Sequence, residues 1–290
     1  MSVWEFAIAP FADFGFMRRA LLGCVALSLG ACPLGVILVL RRMSLIGDAM
    51  SHAILPGAAI GFLLAGFSLF AMALGGLVSG LLVAALAGLV SRFTTIREDA
   101  SFAAFYLASL GLGVLLVSVK GSNIDLLHVL FGTVLALDDA ALLLMASVAT
   151  VSLILIALLY RAIVAACLDP AFLRTLGPAG GVAHGIFLVL VVLNLVGGFQ
   201  ALGTLMVIGI MMLPAASSRF WSASVSGQMI VAAALGIASS LAGLLISFHH
   251  DLPSSPAIIL SASVGYLLSL VAGPRGGLIR QAFAPNFNRA

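Results

Sequence analysis

Nine apolar runs, each about as long as a bilayer is thick, decide what this chain can fold into. They fall at residues 20–40, 44–64, 69–91, 100–118, 140–160, 182–197, 203–217, 228–248 and 256–273. About 20 apolar residues in helical form cross the hydrocarbon of a membrane. The runs are continuous and lack the period-two alternation of barrel strands, so they predict helices. Composition agrees: 63% of the 290 residues are hydrophobic and 8% are charged, with a mean hydropathy of +1.27. A water-soluble fold carries about 25% charged residues. The expectation is an all-α, polytopic membrane bundle of about nine spans, with residues 1–290 forming a single transmembrane domain.

The parts outside the spans are short. Residues 1–19 hold Glu5 and Asp13 and no basic start, unlike a signal peptide. Their aromatic residues Trp4, Phe6, Phe11, Phe14 and Phe16 predict an interfacial segment. Leu126–Leu137 is apolar but too short to cross, and reads as re-entrant or as lying against the bundle. The basic residues set an orientation. With the N-terminus outside, ten of the 13 Lys and Arg fall inside, and only Arg18, Arg19 and Lys120 fall outside. Residues 161–181 and 274–290 then form a cytoplasmic loop and tail. The net charge of +3 reflects this asymmetry, and no nucleic-acid patch is present. Cys24, Cys32 and Cys167 read as small buried residues, not a disulfide or zinc framework. Pro33, Pro56 and Pro214 lie within spans and should kink or break them.

Most acids stand at predicted span ends or loops. Asp48 is the exception, at least one turn inside the second span, with His52 one turn further on. Residues i and i+4 share a helix face, so a carboxylate and an imidazole point the same way. Ionisable groups in hydrocarbon are costly unless they meet a partner, a cavity or an ion. Two structural readings stand beside a metal-binding one: Asp48 paired with Arg41, and His52 hydrogen-bonded to a neighbouring backbone. Two donors do not complete a site, because zinc takes about four ligands and manganese about six. A twofold dimer would bring two Asp48 and two His52 to its axis. His52 must be neutral to ligate.

Other polar groups carry less. His249, His250 and Asp251 cluster on the predicted outer face as weaker metal candidates, with a solvated loop as the plain alternative. His128 and His184 stand alone near span ends and read as structural. In the loop after the fifth span, Asp169 can cap a short helix with Pro170 in its first turn and Gly177 ending it. With Phe172 and Leu173, it offers a docking knob for a soluble partner. Catalytic signatures are missing: there is no His-Glu-x-x-His, no Gly-x-Ser-x-Gly, and the single lysine, Lys120, follows a valine, not the glycine of a phosphate-binding loop. The chain reads as a transport subunit and not an enzyme. Any ATP would have to be bound by another subunit.

Over nearly its whole length the chain resembles a permease of the zinc/manganese family of bacterial ABC transporters. The resemblance is carried by Pro33-Leu34-Gly35, by the string from Arg41 to Gly57, by Asp125–Gly132, by Asp169–Gly177 and by Gly203–Ala216. It implies a type II importer fold and a homodimeric pathway in the bacterial inner membrane. It also implies cytoplasmic ATP-binding subunits docked at Asp169–Gly177, and a periplasmic or extracellular metal-binding protein that delivers the cargo. Asp48 and His52 match the family's metal-coordinating pair, and Asp251 with Pro253 matches its Asp-x-Pro element. No permanently bound cofactor is implied; the metal is cargo. Imidazole beside carboxylate favours zinc over manganese. A permease for a metal chelate such as a siderophore, and a carrier driven by an ion gradient, are the alternatives.

Overall fold

The computed structural model describes residues 3–66, 68–95, 98–119, 134–168 and 178–283. Helices cover each of the nine apolar runs. Two short helices, α1 (Val3–Ala7) and α2 (Ala9–Asp13), precede α3 (Gly15–Leu40). The second span is divided into α4 (Ser44–Ala53) and α5 (Leu55–Ala65). Then come α6 (Leu69–Phe93), α7 (Glu98–Val119) and a short 3₁₀ turn at Val134–Ala136. The rest are α8 (Asp139–Leu168), α9 (Pro178–Leu202), α10 (Thr204–Ser218), α11 (Val225–His250), α12 (Ser254–Ala272) and α13 (Leu278–Phe283). Among the described residues, seven spans are long and apolar enough to cross a membrane; Ala100–Leu116 and Thr204–Ser218 are shorter apolar helices. The protein is a multi-pass membrane protein. The first span begins at Gly15, five residues before the apolar run, because Phe16 and Met17 extend its apolar surface past Arg18 and Arg19. Of Leu126–Leu137, the part from residue 126 to 133 lies outside the described residues, as do His128 and residues 169–177.

Helix α3 is the hub. It packs against α8, α9, α10 and α11, and every side chain from Ala31 to Leu38 is buried. It ends in a Schellman turn. The amide of Met43 donates to the Leu38 carbonyl at 2.9 Å and that of Arg42 to Val39 at 3.2 Å. Arg42 takes the left-handed φ of 58° that glycine usually fills there. This turn sends the chain back into the bundle as α4. The end where α3 finishes is called basal below, and the opposite end apical. Arg41, Arg42, Arg219 and Arg275 stand at the basal end, beyond the last residues of α3, α10 and α12, while Arg18 and Arg19 open α3 at the apical end. At that apical end Arg19 pairs with Asp139 at 3.0 Å.

The three span prolines meet different fates. Pro33 and Pro214 lie inside the single helices α3 and α10, whereas Pro56 sits in the first turn of α5, just after the break at Ile54. A proline inside a helix leaves the carbonyl four residues earlier without its donor. For Pro214 that carbonyl is Ile210, and the Cys32 thiol from α3 donates to it at 3.2 Å.

Candidate metal site

The segment that carries Asp48 and His52 is held by close backbone packing. Gly57 in α5 and Gly75 in α6 lie so near each other that a Cβ on either would overlap the other's carbonyl oxygen, and a Cβ on Gly61 would strike the Ala71 carbonyl. Small residues at four-residue spacing permit this approach. At the break between α4 and α5, the Ala53 carbonyl accepts from the Ser79 hydroxyl at 2.6 Å and from the Ser109 hydroxyl at 3.1 Å. The bend is thereby tied to α6 and α7. Below it, Gly47 lets α4 rest on the thioether methyls of Met211 and Met212.

Among the described residues, this scaffold leaves one face of α4 uncovered. Leu45 is 76% exposed, and the Asp48 side chain 55% exposed against 25% for His52. His52 Nε2 stands 3.8 Å from Asp48 Oδ1. That is too long for a hydrogen bond and within the reach of one cation with bonds of about 2.1 Å to each. The imidazole stacks on Tyr106 of α7, ring centroids 6.1 Å apart and 28° from parallel. Its Nδ1 is buried and makes no hydrogen bond among the described residues. The ring is therefore oriented by stacking, with Nε2 turned toward the carboxylate. Sequence reasoning missed Tyr106, since an aromatic residue in an apolar run carries no distinguishing signal.

Arg41 does not pair with Asp48. Its guanidinium meets His184 Nδ1 at 2.8 Å and lies over the Phe187 ring at 5.7 Å, so the alternative of an Asp48–Arg41 pair gives way to a contact with α9. This also gives His184 a structural place at the basal end.

His249, His250 and Asp251 end α11 at the apical side and are not brought together with Asp48 and His52. His249 Nε2 donates to the Phe6 carbonyl at 3.0 Å, and its ring lies flat on Phe6 at 4.4 Å. It fastens the N-terminal helices to the bundle. Asp251 adopts φ 51°, and the following amide, Leu252, donates back to the Ser247 carbonyl at 3.2 Å. It closes the helix as glycine or asparagine commonly would. Among the described residues no three His, Cys, Asp or Glu side chains gather as a metal site would need. Among the described residues, Asp48 and His52 are brought to 3.8 Å as a pair, without a third such ligand beside them. The docking residues Asp169, Pro170, Phe172, Leu173 and Gly177 lie outside the described residues.

The family model described as the ABC 3 transport family matches residues 13–273. A manganese import system permease protein, ScaB of Streptococcus parasanguinis, is 32% identical over 91% of this chain and 92% of its own. A probable iron transport system membrane protein of Haemophilus influenzae is 30% identical over 89% of this chain and 94% of its own. Among solved structures, PsaBC from Streptococcus pneumoniae in complex with Fab superimposes with a TM-score of 0.84 at 28% identity, covering 97% of this chain and 100% of that one. The chain belongs to the ABC 3 transport family, as a membrane-spanning permease subunit of an ABC metal importer.

Proposed function

We propose that two copies of this chain form the path of a divalent transition-metal ion, and that Asp48 and His52 of each copy bind the ion on its way inward. The observation that carries this reading is the exposed Leu45–Asp48–His52 face of α4. A charged carboxylate on an open helix face within a membrane bundle needs a partner, and a twofold axis beside it supplies a second carboxylate and a second imidazole. Two carboxylates and two imidazoles offset the cation's charge and replace part of its water shell.

Manganese is the leading cargo. Relatives at about 30% identity carry that name, and oxygen donors with room for water suit its six-fold coordination. Zinc is the second reading, favoured by the imidazoles. The domain layout read from the sequence goes with this proposal. The N-terminus faces outward, residues 161–181 meet the ATP-binding subunits, and a soluble metal-binding protein delivers the ion to the apical side of the bacterial inner membrane. The basal arginines support that orientation through the positive-inside tendency.

The test is ATP-driven uptake of Mn²⁺ and Zn²⁺ by the permease reconstituted in vesicles with its ATP-binding subunit. Asp48→Asn should lower uptake at least about tenfold, a loss of about 1.4 kcal/mol of binding or more, while the complex still assembles. Uptake at the wild-type rate would overturn the assignment. Uptake of a metal chelate by the Asn variant, with the free ion excluded, would favour a chelate importer.

A further inference from the structure

We propose that the basal cavity between α3, α10 and α12 binds the phosphate of an anionic phospholipid. The cavity has a volume of about 320 Å³ and is lined by Val39, Ala216, Arg219, Phe220, Tyr266 and Arg275. Its lining is divided. Val39, Ala216 and Phe220 are hydrocarbon, while two guanidiniums and a phenol supply the polar groups.

The two arginines come from separate segments that are locked together. Arg219 caps α10. Arg275 follows α12, and its amide donates to the Phe220 carbonyl at 2.9 Å. The rings of Phe220 and Tyr266 meet edge to face at 6.4 Å. One backbone bond and one ring contact therefore hold the two arginine-bearing segments beside the same space. Among the described residues neither forms an ion pair; the two pairs present involve Arg19 with Asp139 and His52 with Asp48. Two forked, permanently charged donors around one cavity match the oxygens of a phosphate.

The surroundings identify a lipid as the source of that phosphate. Trp221, beside the cavity, donates its Nε1–H to Ser269 Oγ at 2.9 Å and is 45% exposed, the posture of a tryptophan at the membrane boundary. Val39, Ala216 and Phe220 in the lining offer the first methylenes of an acyl chain an apolar surface beside the arginines. Basic pockets between spans on the cytoplasmic side recognise anionic headgroups in this way.

The test uses the full-length permease with its ATP-binding subunit, extracted from vesicles of phosphatidylglycerol and phosphatidylcholine and examined by native mass spectrometry. The wild-type complex should retain phosphatidylglycerol over phosphatidylcholine, and inorganic phosphate in excess should not displace it. The double variant R219Q/R275Q should retain at least about fivefold less, whereas R161Q, altered on the exposed surface of α8, should match wild type. The lysine pair R219K/R275K keeps the charge and should hold an intermediate amount; it serves as the readout if the glutamine pair does not assemble. Equal retention of the two lipids by the wild-type complex would overturn the proposal. So would displacement by inorganic phosphate, which marks a site for a free anion. Loss of the ATP-binding subunit from R219Q/R275Q with lipid retention unchanged would instead identify a protein-docking surface and also overturn it.

Discussion

The Cys32 thiol of α3 donates to the Ile210 carbonyl of α10, the group that Pro214 deprives of its helical donor. Two residues 182 positions apart are thereby coupled through a third. Hydrogen bonds inside membrane bundles contribute about 0.6–2 kcal/mol. Cys32→Ala should destabilise the purified permease by about 1 kcal/mol in reversible unfolding. In a Pro214→Ala background, where residue 214 again donates to Ile210, the same change should cost less. Equal costs in both backgrounds would show that the thiol is only filling space.

The Gly57–Gly75 contact permits no side chain on either partner. Gly57→Ala and Gly75→Ala should each destabilise by about 1–3 kcal/mol, the range for overpacking. Because both break one contact, the double variant should cost less than the sum of the singles. Thermal unfolding of the three variants beside wild type measures this, and additivity would contradict the shared contact.

Ser79 and Ser109 serve one acceptor, the Ala53 carbonyl at the α4–α5 break. Removing either hydroxyl leaves the carbonyl satisfied, so each single Ala variant should cost under about 1 kcal/mol. The double variant should cost more than the two together, and it should lower metal uptake because the bend sets where His52 points. A double variant with wild-type uptake would separate the bend from transport.

Tyr106 orients His52 by stacking, without a hydrogen bond to it in the described contacts. Tyr106→Phe keeps the ring and should transport normally. Tyr106→Leu removes the flat face, and should raise the metal concentration for half-maximal uptake several-fold while leaving complex assembly intact. If the Phe variant fails as badly as the Leu variant, the phenol hydroxyl takes part and stacking is not the reason.

The dimer reading makes a cross-linking prediction. Leu45→Cys, on the open face of α4, should give a reductant-sensitive dimer in membranes. The native cysteines compete little. Cys24 and Cys32 are fully buried, and burial pushes the Cys167 thiol up, with the Arg41 guanidinium pulling the other way. Leu158→Cys, equally exposed on α8, serves as the contrast. A dimer from Leu158→Cys and none from Leu45→Cys would move the axis away from Asp48.

Several features were legible along the chain itself. The membrane helices follow from the nine apolar runs, because a backbone in hydrocarbon must satisfy its own hydrogen bonds. Asp48 and His52 stand on one helix face because four residues make about one turn. Local spacing dictates such features, and no partner segment is needed to read them. Other features depended on distant chain segments meeting. That Arg41 turns to His184 and not to Asp48, that Tyr106 backs His52, and that His249 clasps Phe6 are choices between contacts that the sequence permits equally. Cys32 looked like filler until α10 brought the carbonyl freed by Pro214 beside it. Covalent order and hydropathy determine which segments are helices and which residues share a face. Only the packing of one helix on another determines which polar groups find partners, since each such pairing joins residues whose separation along the chain carries no signal.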